Sequence, residues 1–242
     1  MDYTQAIKNY ISLEMSVLEK LDVQAVNAVM NALDSARQRN ATIYIMGNGG
    51  SASTASHFVN DFNKGISEHL DQPFRFVCLN DNVATIMAIA NDISYDAIFE
   101  FQLRGKVCAD DLVIGISGSG NSPNVLKAIE RAKSAGATTI GLTGFDGGKL
   151  AKMVNISLHV PIMSMQVTED IHMVFDHLMM AVFYKELCGL EHVKAVALPV
   201  GNGTECIGCA DNGAEPREAP MAGLPTNVPS KANGGCLAYP ER

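Results

Sequence analysis

The sequence predicts an α/β fold: a doubly wound parallel sheet of five strands, preceded by helices and followed by an irregular tail. Three observations predict it. Five short apolar runs recur along the chain with helical patterns between them, and such alternation builds a parallel sheet covered on both faces. Two of the runs end in loops of glycine and serine, at residues 47–53 and 117–122, and ligands of such sheets bind outside the carboxyl ends of the strands. The chain has 242 residues and is 47% hydrophobic, which suits one α/β domain with appendages.

The elements follow in order. From residue 4 to about residue 39 run two amphipathic helical patterns, the first carried by Ile7, Ile11, Leu13, Met15, Leu18 and Leu21, the second by Val23, Val26, Val29, Met30 and Leu33. A helical lead-in of this length before the first strand is suited to packing against a neighbouring subunit. Strands are expected at 42–46, 74–79, 112–116, 138–142 and 156–160. After the third strand, Ser122 is a good N-cap and Pro123 occupies the first helical position, where its missing N–H costs nothing. Val125, Leu126, Ile129 and Ala132 then recur at helical spacing, so the helix dipole points back at the loop and favours an anion there. The loop has no Lys, which excludes a Walker-type nucleotide loop, and the bland alternative is an ordinary strand-to-helix turn. Residues 168–188 form a final Met-rich helix suited to an interior or an interface.

Residues 1–194 thus make one domain, and 195–242, rich in Gly, Pro, Asn, Ala and Glu, make an irregular tail. Cys206-Ile-Gly-Cys209 invites a zinc reading. A closed structural site needs four ligands, however, and the tail offers only Cys236 besides, with no His. The other cysteines, Cys78, Cys108 and Cys188, stand alone, as reduced thiols do, which points to the cytoplasm. The formal charge of −8, without clustered Lys and Arg, argues against nucleic acid. No basic leader and no run of about 18 apolar residues argues for a membrane span. The partners expected are a small molecule and protein.

Two groups of side chains could carry chemistry. His57 and Asp61 lie one helical turn apart behind the first Gly/Ser loop, where the bland reading is a surface hydrogen bond. Glu169, Asp170, His172, Asp176 and His177 crowd the start of the last helix; ideal geometry puts Asp170 with His177 on one face and Glu169 with His172 and Asp176 on another. Spacing leaves both groups open.

Several motifs in order now carry a more specific resemblance: Gly47-Asn-Gly-Gly-Ser51, His57, Leu79-Asn-Asp81, Ala88-Ile-Ala-Asn-Asp92, Tyr95-Asp96, Ile116-Ser-Gly-Ser-Gly-Asn-Ser-Pro-Asn124 and Gly141-Leu-Thr-Gly-Phe-Asp-Gly-Gly148. Over roughly residues 3–187 the chain resembles the phosphoheptose isomerases, within the sugar isomerase (SIS) domain proteins. The resemblance implies a flavodoxin-like sheet, a homotetramer with pockets at subunit interfaces, and interconversion of sedoheptulose 7-phosphate with an aldoheptose 7-phosphate. By motif position, Ser51, Ser117, Ser119 and Ser122 would grip the phosphate, with Gly49 and Gly118 in the same loops and Asn48 and Asp92 near the sugar. Family members bind zinc through a His, a Glu four residues later, and a Gln and a His of the last helix; these positions fall on His57, Asp61, Glu169 and His177. Asp61 thus departs from the Glu, Glu169 from the Gln, and Gly118 from a common Thr.

Moving a carbonyl from C2 to C1 requires a base, an acid and stabilisation of an enediolate. The resemblance puts Asp61 and His177 in the acid–base roles, with Glu169 substrate-binding and taking over part of the role of the shorter Asp61. Glu169 and His177 are about 12 Å apart along a regular helix, near the limit for two ligands of one ion. Either Glu169 precedes the regular helix or a second subunit completes the site. The alternatives to a heptose isomerase are a non-catalytic SIS-domain adaptor that retains the sugar-phosphate pocket, and an isomerase of another sugar phosphate.

Overall fold

The computed structural model describes residues 1–190; the tail 195–242, with the Cys206 and Cys209 pair, lies outside the described residues. The lead-in forms α1 (Thr4–Leu18) and α2 (Val23–Gln38). Asp22 separates them by accepting hydrogen bonds from the amides of Gln24 and Ala25 at 2.9 and 3.0 Å, which satisfies N–H groups that a helix leaves open. The second helix buries Val26, Val29, Leu33 and Ala36, whereas the first buries only Val17.

β1 (Ile43–Gly47) leads into α3 (Gly50–Asn60), which continues as a π-helical stretch over Asp61–Ile66. β2 (Phe76–Cys78) is followed by α4 (Val83–Asp92) and α5 (Glu100–Leu103), and β3 (Leu112–Ser117) by α6 (Pro123–Ser134). β4 (Thr138–Thr143), α7 (Leu150–Met153), β5 (Ile156–His159) and α8 (Met165–Cys188) complete the described chain. The five strands are all parallel, in the order β2-β1-β3-β4-β5.

Alternation along the strands builds two cores. Ile43, Ile45, Leu112, Ile114 and Ile116 face one side, against α2, α3 and α8. Tyr44, Met46 and Val113 face the other, against α4, α5 and α6. Both faces being covered, the strands read as continuous apolar runs, as expected for buried parallel strands. Chain order reverses between β1 and β3, and their helices depart to opposite faces. A crevice therefore opens at the carboxyl ends of these two strands.

The edge strand is shorter than the 74–79 expected from sequence, and side chains satisfy its outer edge, the one turned away from β1. Asn63, in the π-helical stretch, donates to the Phe76 carbonyl at 2.9 Å and accepts from the Phe76 amide at 2.8 Å. The Phe74 amide donates to Ser67 Oγ at 2.9 Å; Phe76–Cys78 stand in register with β1, and the flanking Arg75 carbonyl and Leu79 amide bond to it at 2.9 Å. Around this anchor Phe62 packs on Phe58, Phe74, Phe76 and Phe183, with ring centroids 4.8–6.1 Å apart. The last helix starts earlier than residue 168 because Ser164, not Thr168, is its N-cap.

Candidate functional site

The two Gly/Ser loops meet in the crevice. A cavity of about 260 Å³ is lined by Asn48, Gly49, Gly50, Ser51, Ile116, Ser117, Gly118, Ser119 and Ser122, with Met165 and Glu169 of α8 closing it. Ser117 and Ser122 share a hydrogen bond of 3.0 Å between their hydroxyls. Ser122 therefore does not cap α6 with its side chain, as the sequence suggests; its hydroxyl faces the other serine of the loop. The tight turn between them needs Gly120, at φ +63°, where a side chain would run into the Gly147 carbonyl.

Asn48 is fixed by groups that the spacing of residues did not single out. It pairs with Asn124 through reciprocal amide hydrogen bonds of 2.9 Å, and its oxygen also accepts from the Tyr95 hydroxyl at 2.9 Å. Asn80 ties down the end of β1 by bonding both the amide and the carbonyl of Gly47. Gly118 is explained by a neighbour: a Cβ there would meet the Met165 sulfur at 2.6 Å. Gly50 admits a closer approach still, since any side chain would overlap the Glu169 carboxylate. Asp92 sits exposed at the end of α4, beside Asn91, and is not among the cavity's lining residues.

α3 and α8 run side by side in the same direction. Gly50 lies against Glu169, His57 against Asp176 and His177, and Gly65 against Met180. Midway along this pair sits the second feature. His57, Asp61, Asp176 and His177 bring one donor atom each within 4.8 Å of one another. The two Nε2 atoms are 3.1 Å apart, His57 Nε2 is 3.4 Å from Asp61 Oδ2 and 3.9 Å from Asp176 Oδ2, and His177 Nε2 is 3.9 Å from Asp61 Oδ2. Asn60 orients Asp61 by donating to its other oxygen at 3.0 Å. Asp61 opens the π-helical stretch, a departure from regular helix that often marks functional positions.

Asp176 is fully buried, and neither carboxylate oxygen has a hydrogen-bond partner among the described residues. Burial, and next the charge of Asp61, push its carboxyl up to about 8. His172 is also fully buried; burial holds its imidazole down at about 4, with Nε2 3.3 Å from the Thr143 carbonyl.

The ideal helical faces are corrected by these contacts. Asp176 and His177 reach the same cluster, while Asp170 turns to α1 and accepts a hydrogen bond from the Tyr10 hydroxyl. Neighbouring residues about 100° apart can converge on a point between their directions, whereas residues seven apart share a face but lie about 10 Å apart along the axis. Glu169 lies in the second turn of α8 and lines the loop cavity, outside the four-residue cluster. It therefore does not precede the regular helix.

The donor set fits a divalent cation. A tetrahedral ion with ligand distances of about 2.0–2.1 Å sets its donors about 3.3 Å apart. Four of the six separations, at 3.1–3.9 Å, bracket that value, and all six lie within 4.8 Å. Two carboxylates and two neutral imidazoles balance a charge of +2, and a cation would satisfy the orphaned oxygens of Asp176.

Comparison with known proteins adds the family. Residues 2–144 match the SIS domain family. The chain is 34% identical over 185 residues to a phosphoheptose isomerase of Aliarcobacter butzleri, spanning 76% of this chain and 93% of the relative. It is 32% identical over 174 residues to a probable phosphoheptose isomerase of Thermoplasma acidophilum, spanning 72% and 95%. The solved phosphoheptose isomerases of Neisseria gonorrhoeae and Francisella tularensis each superpose with a TM-score of 0.69 at 28% identity, over 75% of this chain and 98% of theirs.

Proposed function

The chain belongs to the SIS domain family and, within it, to the phosphoheptose isomerases, and from that premise we propose that it interconverts sedoheptulose 7-phosphate and D-glycero-D-manno-heptose 7-phosphate through an enediol(ate). One observation carries the reading. A phosphate-type cavity and a cluster of imidazoles and carboxylates lie on the same two helices, Ser51 and His57 being about 9 Å apart along α3. A seven-carbon chain with bonds of about 1.5 Å extends to about 10 Å from C1 to a phosphate on C7. The spacing therefore suits a long sugar phosphate held at one end and worked on at the other.

In this reading the hydroxyls of Ser51, Ser117, Ser119 and Ser122, with the first amides of α3 and α6, bind the phosphate. Asn48, pre-set by Asn124 and Tyr95, offers the amide nearest the sugar hydroxyls. The carbon-bound proton leaves C1 and is returned at C2, while one hydroxyl proton leaves O1 and another is gained at O2. Glu169, Asp61 and His177 are the groups that take and return these protons. His57, Asp61 and His177 would hold a divalent cation, zinc in this reading, which when bound supplies positive charge to the developing enediolate oxygens.

We also read the protein as a cytoplasmic homotetramer. Ile7, Ile11 and Met15 of α1 are at least half exposed, which supports association, and the free thiols of Cys78, Cys108 and Cys188 support a reducing compartment. No helix among the described residues is long and apolar enough to cross a membrane.

The test is incubation of the zinc-loaded protein with sedoheptulose 7-phosphate in D2O, followed by NMR. Appearance of the aldose with deuterium at C2 is expected. Absence of exchange at C1 or C2, for this and for shorter ketose phosphates, would overturn the reading and leave a sugar-phosphate-binding protein without catalysis.

A further inference from the structure

We infer that Asp176 is a ligand of the cation, so that one protomer supplies all four donors from α3 and α8, and Glu169 is left to the substrate side. This deepens the metal-assisted reading above and rests on it.

The argument starts from burial. A carboxylate removed from water loses favourable hydration and is retained only where something replaces it. Asp176 is fully buried, with neither oxygen bonded to any group among the described residues, and Asp61, the other carboxylate of the cluster, lies within 4.8 Å. Such an arrangement is unfavourable by itself. A divalent ion among the four donors neutralises both carboxylates and fills the vacant lone pairs of Asp176.

Position agrees with charge. His57 and Asp61 approach from α3 on adjacent turns, and Asp176 and His177 approach from α8 as sequence neighbours. All four donors therefore come from two helices whose mutual position is set by the core. Both helices bury Phe58, Ile171, Phe175 and Met179 in that core beneath the cluster. Glu169 is about 10 Å from Asp176 along α8. Its carboxylate lies over Gly50, where the absent side chain leaves it room at the start of α3.

The experiment measures zinc, not turnover. The full chain is stripped with chelator and reloaded with zinc alone; zinc per subunit is counted by mass spectrometry, and affinity is measured by competition with a chromophoric chelator. Wild type should hold one zinc per subunit. Asp176→Asn, close in shape but a poorer donor, should lose at least about 100-fold in affinity, beyond the loss usual for residues that only support a ligand. Glu169→Gln should stay within about twofold of wild type. Wild-type affinity in Asp176→Asn, or equal losses in the two variants, would overturn the inference.

A second variant guards against a folding defect. In the cobalt-loaded protein, Asp176→Cys should bring a thiolate-to-cobalt charge-transfer band in the near ultraviolet, which a merely structural residue would not produce. A cobalt-loaded variant without that band would overturn the assignment. The two readings fail separately: zinc that depends on Asp176 without sugar exchange removes the isomerase, and sugar exchange with zinc indifferent to Asp176 removes the ligand.

Discussion

His57 and Asp61 are four residues apart, and their contact at 3.4 Å follows from that spacing alone. The meeting of His57 with His177, 120 positions later, depends on how α3 and α8 lie in the fold, and no local pattern specifies it. Asp176 was visible as one acid in a crowded run, but its burial was not, because burial is a property of the helix's neighbours. His172 makes the same point with a measurable consequence. Its imidazole is pushed down to about 4 by burial, from an ordinary value of 6.5. The unfolded chain accepts this proton before the folded one does. The stability that depends on His172 is therefore complete above about pH 6.5, falls as pH drops towards 4, and changes no further below. The shift corresponds to about 3 kcal/mol. In urea unfolding at pH 7 and pH 4.5, the change in stability of His172→Gln should be about 2–3 kcal/mol more favourable than that of the wild type over the same interval, which isolates His172 from the other groups that titrate there.

Among the elements, those with strong periodicity were legible and those held by side chains were not. The five strands fall where the apolar runs lie, to within one or two residues at most ends. β2 is the instructive exception: its outer edge is satisfied by Asn63 and Ser67, and neither residue signals this in sequence. The π-helical stretch likewise lacks a composition of its own. It lets Asp61 serve the cluster while Phe62 enters the core and Asn63 turns to the sheet edge. Asn63→Ala should therefore act on two elements at once. It strands the amide and carbonyl of Phe76 and should cost about 1–3 kcal/mol in urea unfolding. Backbone hydrogen exchange should rise at Phe76 and Val77 before it rises in β3. Protection unchanged there would show that β2 does not need this anchor.

At the scale of the molecule, alternating strands and helices announced the parallel sheet, but the order β2-β1-β3-β4-β5 is what places both Gly/Ser loops beside one crevice. The exposed apolar face of α1 belongs to this scale as well. Ile7→Lys combined with Ile11→Lys should shift the protein to a smaller species in light scattering, with its circular dichroism retained; an unchanged mass would move the interface elsewhere. The loop cavity carries a last consequence. No Lys or Arg is among its lining residues, and Glu169 adds a carboxylate, while the whole chain bears a formal charge of −8. A doubly negative substrate thus approaches against the protein's own field and is gripped by neutral dipoles that ions scarcely weaken. The Debye length shrinks from about 30 Å at 0.01 M ionic strength to about 8 Å at 0.15 M. Added potassium chloride should therefore lower KM over that range, the reverse of a site built on arginine, so that the ionic strength of a cell assists capture instead of competing with it.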